Sequence, residues 1–231
     1  MSHLDVRQKI MNIEQEIRKI YGESVEIDGI VNADLYAKAR YRIMWILREP
    51  WFDGAWKLVK DKGVYPRIGN SPTLQPMAYV SYSILNEFPR WDDMSYLRDD
   101  PFIAESLRSV AYVNVKKCTG ETQSNLDDIY DWFKKGESVI RNQFYEYKPD
   151  VVIGCAPYMV DVFKWDTTRS SPVFEPWVTY VSDYGKPLLI DAYHPSQRGR
   201  REGFVDSIVE VVEQEFKKEP NRAMQQAPVS A

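Results

Sequence analysis

The chain has 231 residues, a net charge of -4 and 44% hydrophobic residues, enough for one large folded domain with a substantial core. The mild acidity excludes a chain that is basic throughout, though not a local basic site. Two cysteines, Cys118 and Cys155, and two histidines, His3 and His194, exclude a disulfide framework and any zinc or iron–sulfur site without other ligands.

The first residues, Met1-Ser2-His3-Leu4-Asp5, have neither the basic nor the apolar region of a signal peptide. No apolar run approaches the roughly 20 residues of a membrane span. A cytoplasmic protein without a membrane partner is expected. Ile10, Ile13, Ile17 and Ile20 recur at helical spacing before Gly22, so 5–21 reads as a helix. Residues 42–47, Arg-Ile-Met-Trp-Ile-Leu, form a compact apolar run that stops at Arg48-Glu49-Pro50, the pattern of a buried strand ending in a loop. The Gly- and Pro-bearing stretch 51–73 reads as mostly irregular. Residues 74–88 read as a helix with Pro76 in its first turn.

A short helix is expected over 103–110, a strand over 111–115, and a long amphipathic helix over 126–147 that Pro149 ends. Residues 150–155 read as a third strand with a short helix after it. An extra strand or hairpin is expected within 174–184, a last core strand over 188–192, and a final helix over 203–217. Residues 1–218 are expected to form one α/β domain. The polar tail 219–231 is expected to be disordered. Alternating strands and helices predict a three-layer α/β/α sandwich around a mostly parallel sheet. Ligands of such sheets bind outside the carboxyl ends of the strands. That directs attention to the loops at 48–54, around Asn114, and at 194–201.

Three residues in these loops could carry chemistry. A neutral His194 can donate a hydrogen bond to an oxygen that gains negative charge; Arg198, Arg200 and Arg201 close behind it suit phosphate contacts. Glu49, at the end of a buried strand, could activate a water. Asn114 lies in an apolar strand, and its amide presents a donor and an acceptor side by side, as a base edge does. Each also admits a structural reading: a solvated basic turn, an exposed Glu opening a turn, and a satisfied structural Asn. The amides of Gly69-Asn70-Ser71-Pro72 could meet a phosphate or simply form a turn. Trp51, Phe52 and Tyr65 could stack on a base or cap the core. Lys116 and Lys117 are expected to be solvated. The chain has no Walker loop, dinucleotide glycine fingerprint, Gly-x-Ser-x-Gly elbow or zinc spacing.

The ordered set of Ile43-Met44-Trp45-Ile46-Leu47-Arg48-Glu49-Pro50, Ala111-Tyr112-Val113-Asn114-Val115-Lys116-Lys117-Cys118, Asp150-Val151-Val152-Ile153-Gly154-Cys155-Ala156, and Leu189-Ile190-Asp191-Ala192-Tyr193-His194-Pro195-Ser196 resembles the uracil-DNA glycosylase superfamily. The likeness runs from about 42 to about 216, and the His-Pro-Ser match is its most specific part. The resemblance implies a four-stranded, mostly parallel central sheet and a monofunctional DNA glycosylase that releases uracil or a modified base. It implies that Glu49 positions the attacking water, that Asn114 bonds the flipped base, and that His194 stabilises charge on the departing base. It further implies Arg198 as the wedge filling the gap in the stack, Ser196 and Ser71 as phosphate holders with Arg200 nearby, and Tyr65 as the stacking residue.

DNA is the implied partner, with a monomeric protein, no metal and no cofactor; the cysteines of the iron–sulfur branches are missing. Leu47 stands where the motif has Gly, Arg48 precedes the acid, and Trp51 follows Pro50 in place of a small residue or Tyr. These departures lie in the pocket and point to a substrate other than plain uracil, such as the altered bases of foreign DNA. The competing readings are a DNA-binding member without catalysis and an unrelated small-molecule hydrolase on a similar sheet.

Overall fold

Residues 43–47 have no polar side chain to turn toward water, so both faces of this strand must be covered. In the computed structural model they form the five-residue strand β2 (Ile43–Leu47), buried along its whole length, near the centre of a six-stranded sheet. The structure describes residues 3–23, 25, 27–50, 65–120, 124–156, 178–183, 187–196 and 199–218, with backbone alone for 3–7, 65–67 and 178–183.

The elements in chain order are α1 (His3–Tyr21), β1 (Gly29–Ile30), α2 (Ala33–Lys38), β2, α3 (Tyr65–Asn70), α4 (Leu74–Leu85) and α5 (Pro101–Glu105). They continue with β3 (Ala111–Asn114), α6 (Leu126–Tyr147), β4 (Val151–Gly154), β5 (Val178–Asp183), β6 (Leu188–Ala192) and α7 (Arg201–Lys218). The strand order is β1-β3-β2-β4-β6-β5. β3, β2, β4 and β6 run parallel. β1 and β5 close the two edges antiparallel. The fold is thus α/β with a mostly parallel mixed sheet. It has two more strands than the four expected, and one of them is the extra strand predicted within 174–184.

Alternate side chains of each strand serve opposite helical layers. Ile43, Trp45, Leu47, Ile153 and Ile190 face α4, α5 and α7. Met44, Ile46, Val113, Val152 and Leu189 face α1, α2 and α6. Trp45 is fully buried and places its indole N–H 3.1 Å from the Ser81 hydroxyl, so its one polar atom is satisfied. At the amino ends of the strands, Asp150 accepts the Arg42 guanidinium at 3.1 Å on each oxygen, and the Arg42 backbone N–H at 2.8 Å. This pair ties the start of β2 to the start of β4.

Two elements before β2 were not expected. β1 has two residues, too few for any alternation to show. α2 has six, and its start is set by Asn32, whose side chain accepts the amides of Asp34 and Leu35. Within the stretch read as irregular, 65–70 is helical. Residues 51–64, the helix expected after Cys155 and the tail 219–231 lie outside the described residues.

Candidate functional site

The register brings the strand ends level. Leu47 lies opposite Asn114, Ile46 opposite Gly154, and Gly154 opposite Asp191. The ladder continues past the strands: Val115 N–H donates to Leu47 O, Lys116 N–H to Arg48 O, and Cys155 N–H to Ile46 O, each at 2.8 Å. Arg48, Glu49, Asn114 and His194 therefore share the carboxyl edge of the parallel sheet, where open α/β sheets bind ligands.

Asn114 is 1% exposed, and both side-chain atoms, Oδ1 and Nδ2, are buried without a hydrogen-bond partner among the described residues. Its backbone is fully held. The N–H donates to Asp28 Oδ2 at 2.6 Å, and the C=O accepts Lys117 Nζ at 2.9 Å. Lys117 also reaches both Asp28 oxygens at 2.9 Å and Gln143 Oε1 at 3.0 Å, while Gln143 Nε2 donates to Asp28 Oδ1 at 2.9 Å. The Asp28–Lys117 pair grips both backbone groups of Asn114 and leaves the amide itself uncommitted. Buried amides are normally bonded; among the described residues this one has both its donor and its acceptor open.

Glu49 is the second group. One oxygen, Oε2, pairs with Lys116 Nζ at 3.2 Å; the other, Oε1, is buried without a partner among the described residues. Lys116 also pairs with Asp128 Oδ2 at 2.6 Å. Burial works against the Lys116 ammonium, but its bonds to Asp128 and Glu49 outweigh this and hold its pKa above the usual lysine value. The loop after β3 lies against the carboxylate: a Cβ added at Gly120 would fall 2.0 Å from Glu49 Cδ. Gly120 N–H donates to Pro50 O at 2.9 Å, which fastens the two loops together.

His194 follows β6 and is half-buried. Burial first, and the Arg48 charge second, push its pKa down to about 4, so the ring is neutral at pH 7. Arg48 also acts on Cys155, whose thiol burial holds well above its ordinary pKa. The Arg48 charge, at the end of β2, is thus felt at the ends of β4 and β6.

The expectation for Lys116 and Lys117 is overturned. Lys117 is 1% exposed and Lys116 has a side chain 12% exposed. Each is drawn inward by a carboxylate that the sequence does not reveal as a neighbour. Burial lowers the Lys117 pKa more than Asp28 restores it. Among the other predicted residues, Ser196 is exposed and its hydroxyl lies 2.8 Å from His194 Nδ1. Ser71 lies two residues before Thr73, the N-cap of α4; its Oγ accepts the amide of Leu74, the first residue of that helix, at 3.0 Å and keeps its own hydrogen to donate. Arg200 is exposed just before α7. Tyr65 opens α3, with its side chain outside the described residues; Arg198, Trp51 and Phe52 lie outside them altogether. Sequence reasoning missed Asp28, Gln143, Gly120 and the buried, unpartnered Nε of Arg48. A lone Asp before a two-residue strand and a Gln within a helix carry no local signal. Among the described residues no group of three or more His, Cys, Asp or Glu could hold a metal ion, and no helix is long and apolar enough to cross a membrane. Comparison of the chain with protein-family models and with curated proteins finds no match.

Proposed function

We propose that the protein is a monofunctional DNA glycosylase of the uracil-DNA glycosylase type, which flips uracil or a modified base out of DNA and hydrolyses its N-glycosidic bond. The observation that carries this reading is the Asn114 side chain, buried at the sheet's carboxyl edge with both polar atoms unpartnered. A base edge supplies the complementary donor and acceptor. Glu49 and His194 at the same edge are the two further groups that the reaction needs.

In this mechanism a water bound at Glu49 Oε1 attacks C1′ of the flipped nucleotide. The C1′–N bond breaks with its electron pair passing to the base. The water oxygen bonds to C1′ and its proton goes to Glu49. The base anion then takes up a proton, so water is divided between the abasic sugar and the free base. Lys116 fixes the other carboxylate oxygen and so aims Oε1. His194, neutral and donating from Nε2, meets the charge that develops on the base. Flipping costs a few kcal/mol, which the basic loop carrying Arg198 and Arg200 offsets through phosphate contacts. DNA is the partner of a single copy of the chain.

The test uses single- and double-stranded oligonucleotides that contain uracil or bulky modified pyrimidines, followed by alkali to cut abasic sites. Wild type should release one of these bases, and Glu49→Gln and His194→Ala should each lower the rate by about 10²-fold or more. Intact DNA throughout overturns the glycosylase reading. A retained gel shift would then identify a binding protein without catalysis.

A further inference from the structure

Arg48 combines three features. Its Nε is buried with no hydrogen-bond partner among the described residues. No carboxylate among them is ion-paired with it; Glu49 is engaged by Lys116, Asp28 by Lys117 and Asp150 by Arg42. It lies close enough to His194 and to buried Cys155 for its charge to act on both. A guanidinium does not lose its proton inside a protein, and burying one without an anion is costly. Such a group becomes satisfied when an anion arrives.

We infer that Arg48 is a further substrate-binding residue of this site, whose guanidinium takes the anionic oxygen of the departing base beside His194. The inference rests on the glycosylase reading. The alternative source of an anionic oxygen is a backbone phosphate, but Arg48 Nε is buried, whereas a backbone phosphate stays at the surface of the site. When the C1′–N bond breaks, its electron pair spreads from the ring nitrogen onto a conjugated carbonyl oxygen. Arg48 meets that charge in the transition state more strongly than it meets the neutral base. The class of base this selects is a pyrimidine, which carries a carbonyl next to the glycosidic nitrogen; a purine has none there. His194 and Arg48 then divide the work: the imidazole donates one hydrogen bond, and the guanidinium supplies fixed charge and the Nε–H donor.

The experiment has a kinetic and an equilibrium arm. Arg48→Met, Arg48→Lys and wild type are compared on DNA carrying uracil and on DNA carrying 5-fluorouracil, the better leaving group. Arg48→Met should slow uracil release by about 10²-fold and 5-fluorouracil release by much less, with Arg48→Lys between. In the equilibrium arm, free 5-fluorouracil is titrated against tryptophan fluorescence as the pH rises through its ionisation. Wild type should bind the anion more tightly than the neutral base, and Arg48→Met should bind both alike. Because Arg48 Nε has no hydrogen-bond partner and the guanidinium no ion pair among the described residues, Arg48→Met should keep or raise the thermal midpoint, which separates this effect from unfolding. Equal loss for both bases, with a fall of about one in the salt slope of DNA binding, would assign Arg48 to a phosphate and overturn the inference. Unchanged release and anion binding in Arg48→Met would overturn it as well. If wild type releases no base yet binds the anion through Arg48, the glycosylase reading fails while the anion site stands.

Discussion

Ser196 donates its backbone N–H to His194 Nδ1 at 3.3 Å and sets its hydroxyl 2.8 Å from the same atom. A neutral ring held this way carries its proton on Nε2, and the depressed pKa keeps it neutral. The same depression affects stability, with a sign that can be worked out. The folded pKa is about 4, against 6.5 when the chain is unfolded. Between these values the unfolded chain binds more protons, so stability falls as the pH is lowered from about 6.5 toward 4. Denaturant titrations of wild type and His194→Phe across pH 4–7 should therefore show a smaller loss toward acid in the variant. Parallel losses would mean that His194 is open to solvent protons in the native state. That His194, Glu49 and Asn114 lie at the carboxyl ends of buried strands was legible in the sequence, because each ends or follows an apolar run. The partners that define their state were not. Asp28 lies 86 residues from Asn114 in the chain, and nothing local marks it.

At the scale of elements, the site depends on loops pressed together at the ends of strands. The loop between β3 and α6 touches Glu49 through Gly120, where a side chain has no room. Gly120→Ala should displace the carboxylate, since the flexible end of Glu49 can move and the backbone need not. Release should fall by at least roughly 10-fold, while the unfolding free energy changes by less than about 1 kcal/mol. A variant with wild-type rate would show that Glu49 does not need its present position; one that unfolds would place Gly120 in the scaffold. The elements with a clear apolar pattern were readable: 126–147 was expected as helix and is α6, and the apolar run 188–192 was expected as strand and is β6. The short β1 and α2 were not. Their stability comes from sheet pairing and from one capping side chain, neither of which leaves a period.

At the scale of the whole molecule, the buried cluster of Asp28, Lys117 and Gln143 joins the segment before β1, the loop after β3 and helix α6. Removing one member leaves a charge buried without its partner. Lys117→Met should lower the unfolding free energy by about 3–5 kcal/mol. Adding Asp28→Leu should recover most of that loss, because two buried charges are then replaced by packed apolar groups. The double variant should still bind the base poorly, since nothing then grips the Asn114 backbone. Denaturation midpoints and base binding measured together check both statements; a double variant as unstable as the single would mean that the cluster's worth lies in its geometry and not in its charge balance. The layered α/β plan was legible at this scale, since alternation of strand and helix dictates it. The antiparallel edges were not, because direction depends on connections outside the strands.

The strand order also determines when the protein can assemble during synthesis. β2 is made before its neighbours yet lies between β3 and β4, and β6 completes the parallel set last. The apolar side of α1, with Ile13 and Ile17, is covered by α6, which begins at Leu126. At ribosomal speeds of 5–20 residues per second, that face waits on the order of ten seconds for its cover. A nascent chain stalled before α6 would show chaperones a bare hydrophobic helix, and one stalled with α6 outside the ribosome would not.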